Sequence, residues 1–169
     1  MTSTAEPTPA DHPWTTSIAA CEEARCRGDR RVGTEHLVVA LLADHEIVAV
    51  LGVTGDEARA RLDELDGRAI EAVGVRASAL DAPYLTPRPL PPRPTLAAVV
   101  RHRMPLTPVA KAARQEAGRP IRRGQRITAP QVLSVRLERR PPDPGAVLLG
   151  AFGVDGAEAR NRLAGPPAA

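Results

Sequence analysis

From Val32 the chain reads V-G-T-E-H-L-V-V-A-L-L, a polar opening followed by apolar residues at Leu37, Val38, Leu41 and Leu42. That spacing predicts a helix with a largely buried face, opened by Thr34 as its N-cap. Neighbouring stretches read in the same way. One helix is predicted to open at Thr15 and to end near Gly28, where glycine supplies a left-handed cap. Another opens with T-G-D-E, Thr54 to Glu57, a capping box in which the threonine oxygen and the glutamate carboxylate each satisfy the other residue's N–H. Apolar residues make up 43% of the chain and aromatics only 2%. Ala, Leu and Val carry the hydrophobicity, which favours packed helices over a sheet built on β-branched and aromatic side chains. The expected fold class is all-α.

The same pattern returns further on. PWTTSIAACEEAR, from Pro13, lies over PLTPVAKAARQEA, from Pro105, at an offset of 92. VGTEHLVVALL, from Val32, lies over ITAPQVLSVRL, from Ile127, at an offset of 95, and LGVTGDEARARL, from Leu51, over FGVDGAEARNRL, from Phe152, at 101. Three blocks in one order, with the offset growing at two loops, describe an internal duplication. In the second copy Thr107 opens the first helix with Pro108 in the first helical position, and D-G-A-E, Asp155 to Glu158, forms a second capping box. Between the copies, residues 66 to 80 can add a helix. Residues 83 to 94 hold six prolines, an extended polyproline-like spacer, and residues 95 to 103 suit one more short helix. The expected organisation is a disordered start at 1–12, a first repeat with its extra helix at 13–80, a linker at 81–94, a second repeat at 95–164 and a tail at 165–169.

Charge and cysteines narrow the classes. Net charge is +3, from 22 arginines and the single lysine Lys111 against 20 acidic residues. Arginine in place of lysine throughout reads as coding bias, and the basic residues are spread among the acids. A nucleic-acid surface needs a clustered basic stripe with stacking aromatics, whereas Trp14, Tyr84 and Phe152 stand far apart. A nucleic-acid partner is not expected, and the alternative reading, a basic nucleic-acid-binding regulator, would use the segment Arg122-Arg123-Gly124-Gln125-Arg126. No secretory leader and no apolar stretch of about 20 residues is present. Cys21 and Cys26 suit neither a disulfide nor a CxxC site. A cytoplasmic protein with reduced thiols, no membrane contact and no cofactor is expected.

The chemistry-bearing residues are few. His36 reads as a buried or half-buried packing residue, and the alternative, a small hydrolase built around it, lacks a neighbouring nucleophile in sequence. His45, nine residues from His36, does not match the i, i+4 spacing of a helical zinc site. Glu35 is either a first-turn carboxylate favoured by the helix dipole or a binding group, because the same physics serves both.

With V-G-T-E-H-L-x-x-A-L-L in place, preceded by E-A-R-x-x-G-D at Glu23 to Asp29 and twinned at a distance, the sequence resembles the Clp N-terminal repeat domain of ClpC- and ClpA-type AAA+ unfoldases. The resemblance runs over residues 22 to 62 and returns at L-T-P-x-A-K, Leu106 to Lys111, and at the F-G-V-D-G block from Phe152. It implies two pseudo-symmetric repeats of about four short helices each, joined by the Pro-rich linker. It also implies a non-enzymatic role, docking polypeptide substrates, adaptor proteins or cyclic peptides. No phosphate-cradling G-x-x-x-x-G-K-[ST] is present, so the expectation is a freestanding module, an accessory or decoy to a ClpC-type unfoldase. Such domains can bind phosphoarginine in each repeat, and the resemblance assigns the guanidinium to Glu35 of the G-T-E-H motif, beside Thr34, and the phosphate to the threonine opening the first helix, Thr15 in the first copy and Thr107 in the second. The second copy reads Thr128-Ala129-Pro130-Gln131, with proline where the carboxylate belongs. Trp14, beside the first-helix start, is the expected hydrophobic contact. The candidate binding set is Trp14, Thr15, Thr34, Glu35 and Thr107, with no catalytic residue and no metal.

Overall fold

The computed structural model describes residues 13–75, 104–118 and 128–164, the side chains of 13–15 and 118 excepted. Among the described residues the chain forms eight α-helices: α1 Pro13–Arg27, α2 Thr34–Leu41, α3 His45–Leu51, α4 Gly55–Ala72, α5 Pro108–Gly118, α6 Ala129–Leu137, α7 Pro144–Ala151 and α8 Gly156–Leu163. Extended pairing among them is limited to a parallel bridge between Val32 and Leu106. The all-α expectation holds. The linker at 81–94, the short helix expected at 95–103, the N-terminal stretch and the tail lie outside the described residues.

Local signals explain most helix ends. Thr54 and Glu57 form the reciprocal box: Thr54 N–H donates to Glu57 Oε2 at 2.8 Å and Glu57 N–H to Thr54 Oγ1 at 3.3 Å. Thr107 caps α5 by accepting from Ala110 N–H at 3.2 Å. Asp44 and Asp143 cap α3 and α7 through Glu46 N–H and Ala146 N–H. Gly52 and Gly153, at matching places in the two copies, close α3 and α7 with φ of +67° and +68°, a left-handed turn that a Cβ would disfavour. Gly28 after α1 is left-handed too.

Four details differ from the sequence reading. Helix α1 starts at Pro13, ahead of Thr15. The helix expected within 66–80 is the continuation of α4, unbroken through Gly67 to Ala72. Gly33, not Thr34, is the N-cap of α2, because the Thr34 hydroxyl turns outward to Asp143 and the cap N–H is met by His36 instead. The D-G-A-E box is one-sided: Asp155 accepts from Ala157 and Glu158 N–H, while the Glu158 carboxylate pairs with Arg162.

Helices α2 and α6 touch at the centre. Around them α1 packs on α2 as α5 packs on α6, α4 on α2 as α8 on α6, and α3 on α8 as α7 on α4. A shared core takes Val38, Leu41, Leu42, Ile47 and Leu62 from the first half and Leu133, Leu148 and Leu149 from the second. A second cluster, around Val32 and Leu37, takes Ala20 and Ala24 of α1 and Ala110 of α5. Surface ion pairs tie α4 to α1: Arg59 grips both Glu23 oxygens, and Arg27 reaches Asp63 and Asp66. No described helix is long and apolar enough to cross a membrane.

Candidate functional site

The site is built where two helices begin. Val32 N–H donates to Pro105 O at 3.0 Å and Thr107 N–H donates to Val32 O at 2.9 Å. That bridge joins the segment leading into α2 to the segment leading into α5, so the N-terminus of α2, with Gly33, Thr34 and Glu35, lies beside the N-terminus of α5, opened by Thr107. Helix N-termini carry partial positive charge and unpaired N–H groups, and two of them meet here next to one carboxylate.

Glu35 folds back over its own helix start. A Cβ placed on Gly33 would lie 2.0 Å from Glu35 Oε1 and 2.3 Å from Oε2, so only glycine leaves room for the carboxylate in this position. The side chain keeps 19% of its surface exposed. Glu35 Oε2 is nevertheless buried and has no hydrogen-bond partner. Oε1 lies 3.1 Å from His36 Nδ1. That ring nitrogen accepts from Gly33 N–H at 3.0 Å, which leaves Nε2 as the protonated nitrogen, donating to Asp29 Oδ2 at 2.9 Å. In this tautomer the contact between Glu35 and Nδ1 sets acceptor against acceptor. The carboxylate thus lies over the helix start with its hydrogen-bonding capacity largely unused.

His36 is 1% exposed, a packing and capping residue as expected. Its twin Gln131 does the same work on α6, accepting from Thr128 N–H at 3.0 Å. Thr34, 1% exposed, donates to Asp143 Oδ1 at 2.9 Å and accepts from Gly145 N–H at 3.0 Å. Both capacities of its hydroxyl are therefore committed inside the protein.

The threonines separate. Helix α1 runs fifteen residues, about 1.5 Å each, and a short loop returns the chain to α2, so the start of α1 stands roughly 20 Å from its α2-facing end. Thr107, not Thr15, is the helix-opening threonine that the bridge brings to Glu35. The side chains of Trp14 and Thr15 lie outside the described residues, as does the Arg122 to Arg126 segment. In the second copy Pro130 occupies the place of Glu35, so α6 begins without a carboxylate there.

Sequence reasoning passed over Gly33 as the residue that seats Glu35, and Asp29 and Asp143 as anchors of His36 and Thr34. Asp143 is a distant loop residue with no local signature, whereas Gly33 and Asp29 lie within sequence motifs whose spacing does not reveal these contacts. An open groove of about 280 Å³ also lies between α1, α2 and the start of α4, lined by Ala19, Glu23, Val39, Ala43, Thr54 and Arg59 among others. Its one basic group is already held: hydrogen bonds to Glu23, with Asp56 adding to them, raise the Arg59 guanidinium further above its ordinary range. Burial, then Glu23 and Glu22, push the Cys26 thiol up, and both cysteines are free. No trio of His, Cys, Asp or Glu suited to a metal occurs among the described residues. Compared with known proteins, the chain matches no family model and no curated sequence.

Proposed function

We propose that this chain is a Clp N-type docking module, which binds polypeptides or adaptors through a receptor for a guanidinium paired with an anion, and so serves as an accessory or decoy to a ClpC-type unfoldase. The observation that carries the reading is the Val32–Leu106 bridge. It sets Glu35, whose Oε2 lacks a partner, beside the N-terminus of α5. A carboxylate accepts the planar fork of a guanidinium, and a helix N-terminus accepts an anion. A phosphoarginine side chain carries both, its phosphoryl group bonded to a terminal nitrogen of the guanidinium.

The contact scheme supports the repeat architecture behind the proposal. Each pairing within the first half has its counterpart in the second, and α3·α8 mirrors α7·α4 across the middle. The receptor is composite on this reading: Glu35 comes from the first repeat and the α5 N-terminus from the second. Loss of the carboxylate at Pro130 leaves the mirror-image position without its cation-binding half, giving one site per chain. Action is by binding alone, with no catalytic group assigned.

Calorimetric titration with phosphoarginine tests the reading. One site is expected in the native protein and none in Glu35→Ala. Absence of binding to the native protein removes this ligand, and equal binding by Glu35→Ala removes the assignment of Glu35.

A further inference from the structure

The duplication sets Arg136 of α6 where α2 has Leu41, at the offset of 95 that aligns the two blocks. Leu41 is one of the largest fully buried apolar side chains, and Arg136 is as deeply buried, at 2% exposure. Its Nε and both terminal nitrogens are buried without a hydrogen-bond partner. Neither nearby carboxylate hydrogen-bonds to it. Asp143 gives Oδ1 to Thr34 and Ala146 N–H, while its Oδ2 also lacks a partner. Glu116 is bonded to Arg139 at 2.6 Å. Burial pushes the Arg136 guanidinium down to about 10, against the pull of Asp143. A charge withdrawn from water and given no hydrogen bonds of its own is destabilising, and an apolar side chain of similar size commonly does better.

Among the described residues the second half is also more thinly cored. Its buried large apolar residues there are Leu133, Leu148 and Leu149, and α5 adds Ala110, Ala113 and Ala117. The first half buries Val32, Leu37, Val38, Val39, Leu41, Leu42, Ile47, Val53 and Leu62. One buried polar clasp, Thr34 to Asp143 and Gly145, holds α7 to α2. Its mirror image is missing, because the twin of Thr34 is Ala129 and carries no hydroxyl.

We infer that α6, α7 and α8 form a separately opening unit that leaves the first half in a partial unfolding, and that the buried charge of Arg136 sets how readily it opens. Regions with few buried apolar contacts open first in native proteins, and here opening returns the guanidinium to water. It also uncovers Leu133, Leu148 and Leu149 together with the faces of α2 and α4 on which they sit. Among the described residues the closed form shows little of this kind, its exposed large apolar residues being Val73, Val75 and Val109. Opening thus gives the molecule an apolar surface that it otherwise hides. The inference stands apart from any ligand of Glu35.

Native-state hydrogen exchange across a series of low urea concentrations, resolved by peptide, tests it on the whole chain. Amides of α6 to α8 are expected to exchange through an opening of lower free energy than those of α1, α2 and α4. Arg136→Leu is expected to slow exchange in α6 to α8 by about tenfold or more, with α1, α2 and α4 still exchanging through an opening of higher free energy. A single opening free energy for all helices in the native protein overturns the inference. So does unchanged exchange in α6 to α8 of Arg136→Leu, or of Arg136→Met should the leucine variant not fold.

Discussion

Thr34 and Asp143 meet across the middle of the molecule, 109 residues apart in sequence, with Thr34 Oγ1 donating to Asp143 Oδ1 at 2.9 Å. The same hydroxyl accepts from Gly145 N–H, so one side chain satisfies both the cap residue of α7 and a donor in its first turn. Gly145 permits the approach: a Cβ there would lie 3.1 Å from the Thr34 carbonyl carbon and oxygen. A residue whose place in G-T-E-H points to ligand binding is, in the folded chain, the polar fastener between halves.

Replacing Thr34 by Val keeps the shape and removes the hydroxyl. Gly145 N–H is then buried without an acceptor, which costs about 1–3 kcal/mol. Urea unfolding is expected to show a lower midpoint with an unchanged slope, and Thr34→Ser is expected to recover most of the loss. A Thr34→Val protein as stable as the native one would show that the clasp contributes nothing.

Gly33→Ala tests the seat of Glu35. The added methyl carbon falls on the carboxylate, and the long side chain can swing aside, so the effect on stability is small, below about 1 kcal/mol. Affinity for phosphoarginine is expected to drop by at least about tenfold, since the acceptor no longer waits in position. Native affinity in Gly33→Ala would mean that Glu35 need not be held over the helix start.

Acid weakens the cap of α4. Backbone and side-chain hydrogen bonds from Thr54 hold the Glu57 carboxyl below its ordinary value, and N–H groups of Glu158 and Ala157 do the same for Asp155. A carboxyl depressed in the folded state contributes stability that is present above its unfolded value and lost as the pH falls through the folded one. The α4 cap is therefore expected to weaken below pH about 4.5 and the Asp155 cap below about 3.8, the ordinary values of the two carboxyls. Melting temperature followed from pH 6 to pH 3 should fall less steeply in Glu57→Gln than in the native protein, and parallel curves would contradict this.

Much of the fold is legible because its signals are local. T-G-D-E, the Thr107-Pro108 opening and the glycines after α1, α3 and α7 act within one turn of themselves, so the sequence marks those helix ends. What escapes is whatever depends on a distant partner. Thr34 is a good N-cap by composition, but Asp143 captures its hydroxyl and His36 takes over the cap. Glu158 completes a capping box by spacing, yet Arg162 on the next turn competes for its carboxylate. The crossing is of the same kind: the duplication aligns the two copies, but it does not say that the start of α5 lies beside the start of α2. Arg136 was visible opposite Leu41 in the aligned blocks, although only burial turns that mismatch into an energetic statement.

The composite receptor is the central claim, and amide chemical-shift mapping with phosphoarginine tests it most directly. The account predicts that Val32 to Glu35 and Thr107 to Ala110, from opposite halves, shift together along one binding curve, with Thr128 to Gln131 unmoved. Shifts at Thr128 to Gln131 or the start of α1 without those at Thr107 to Ala110, or none at all, would contradict it.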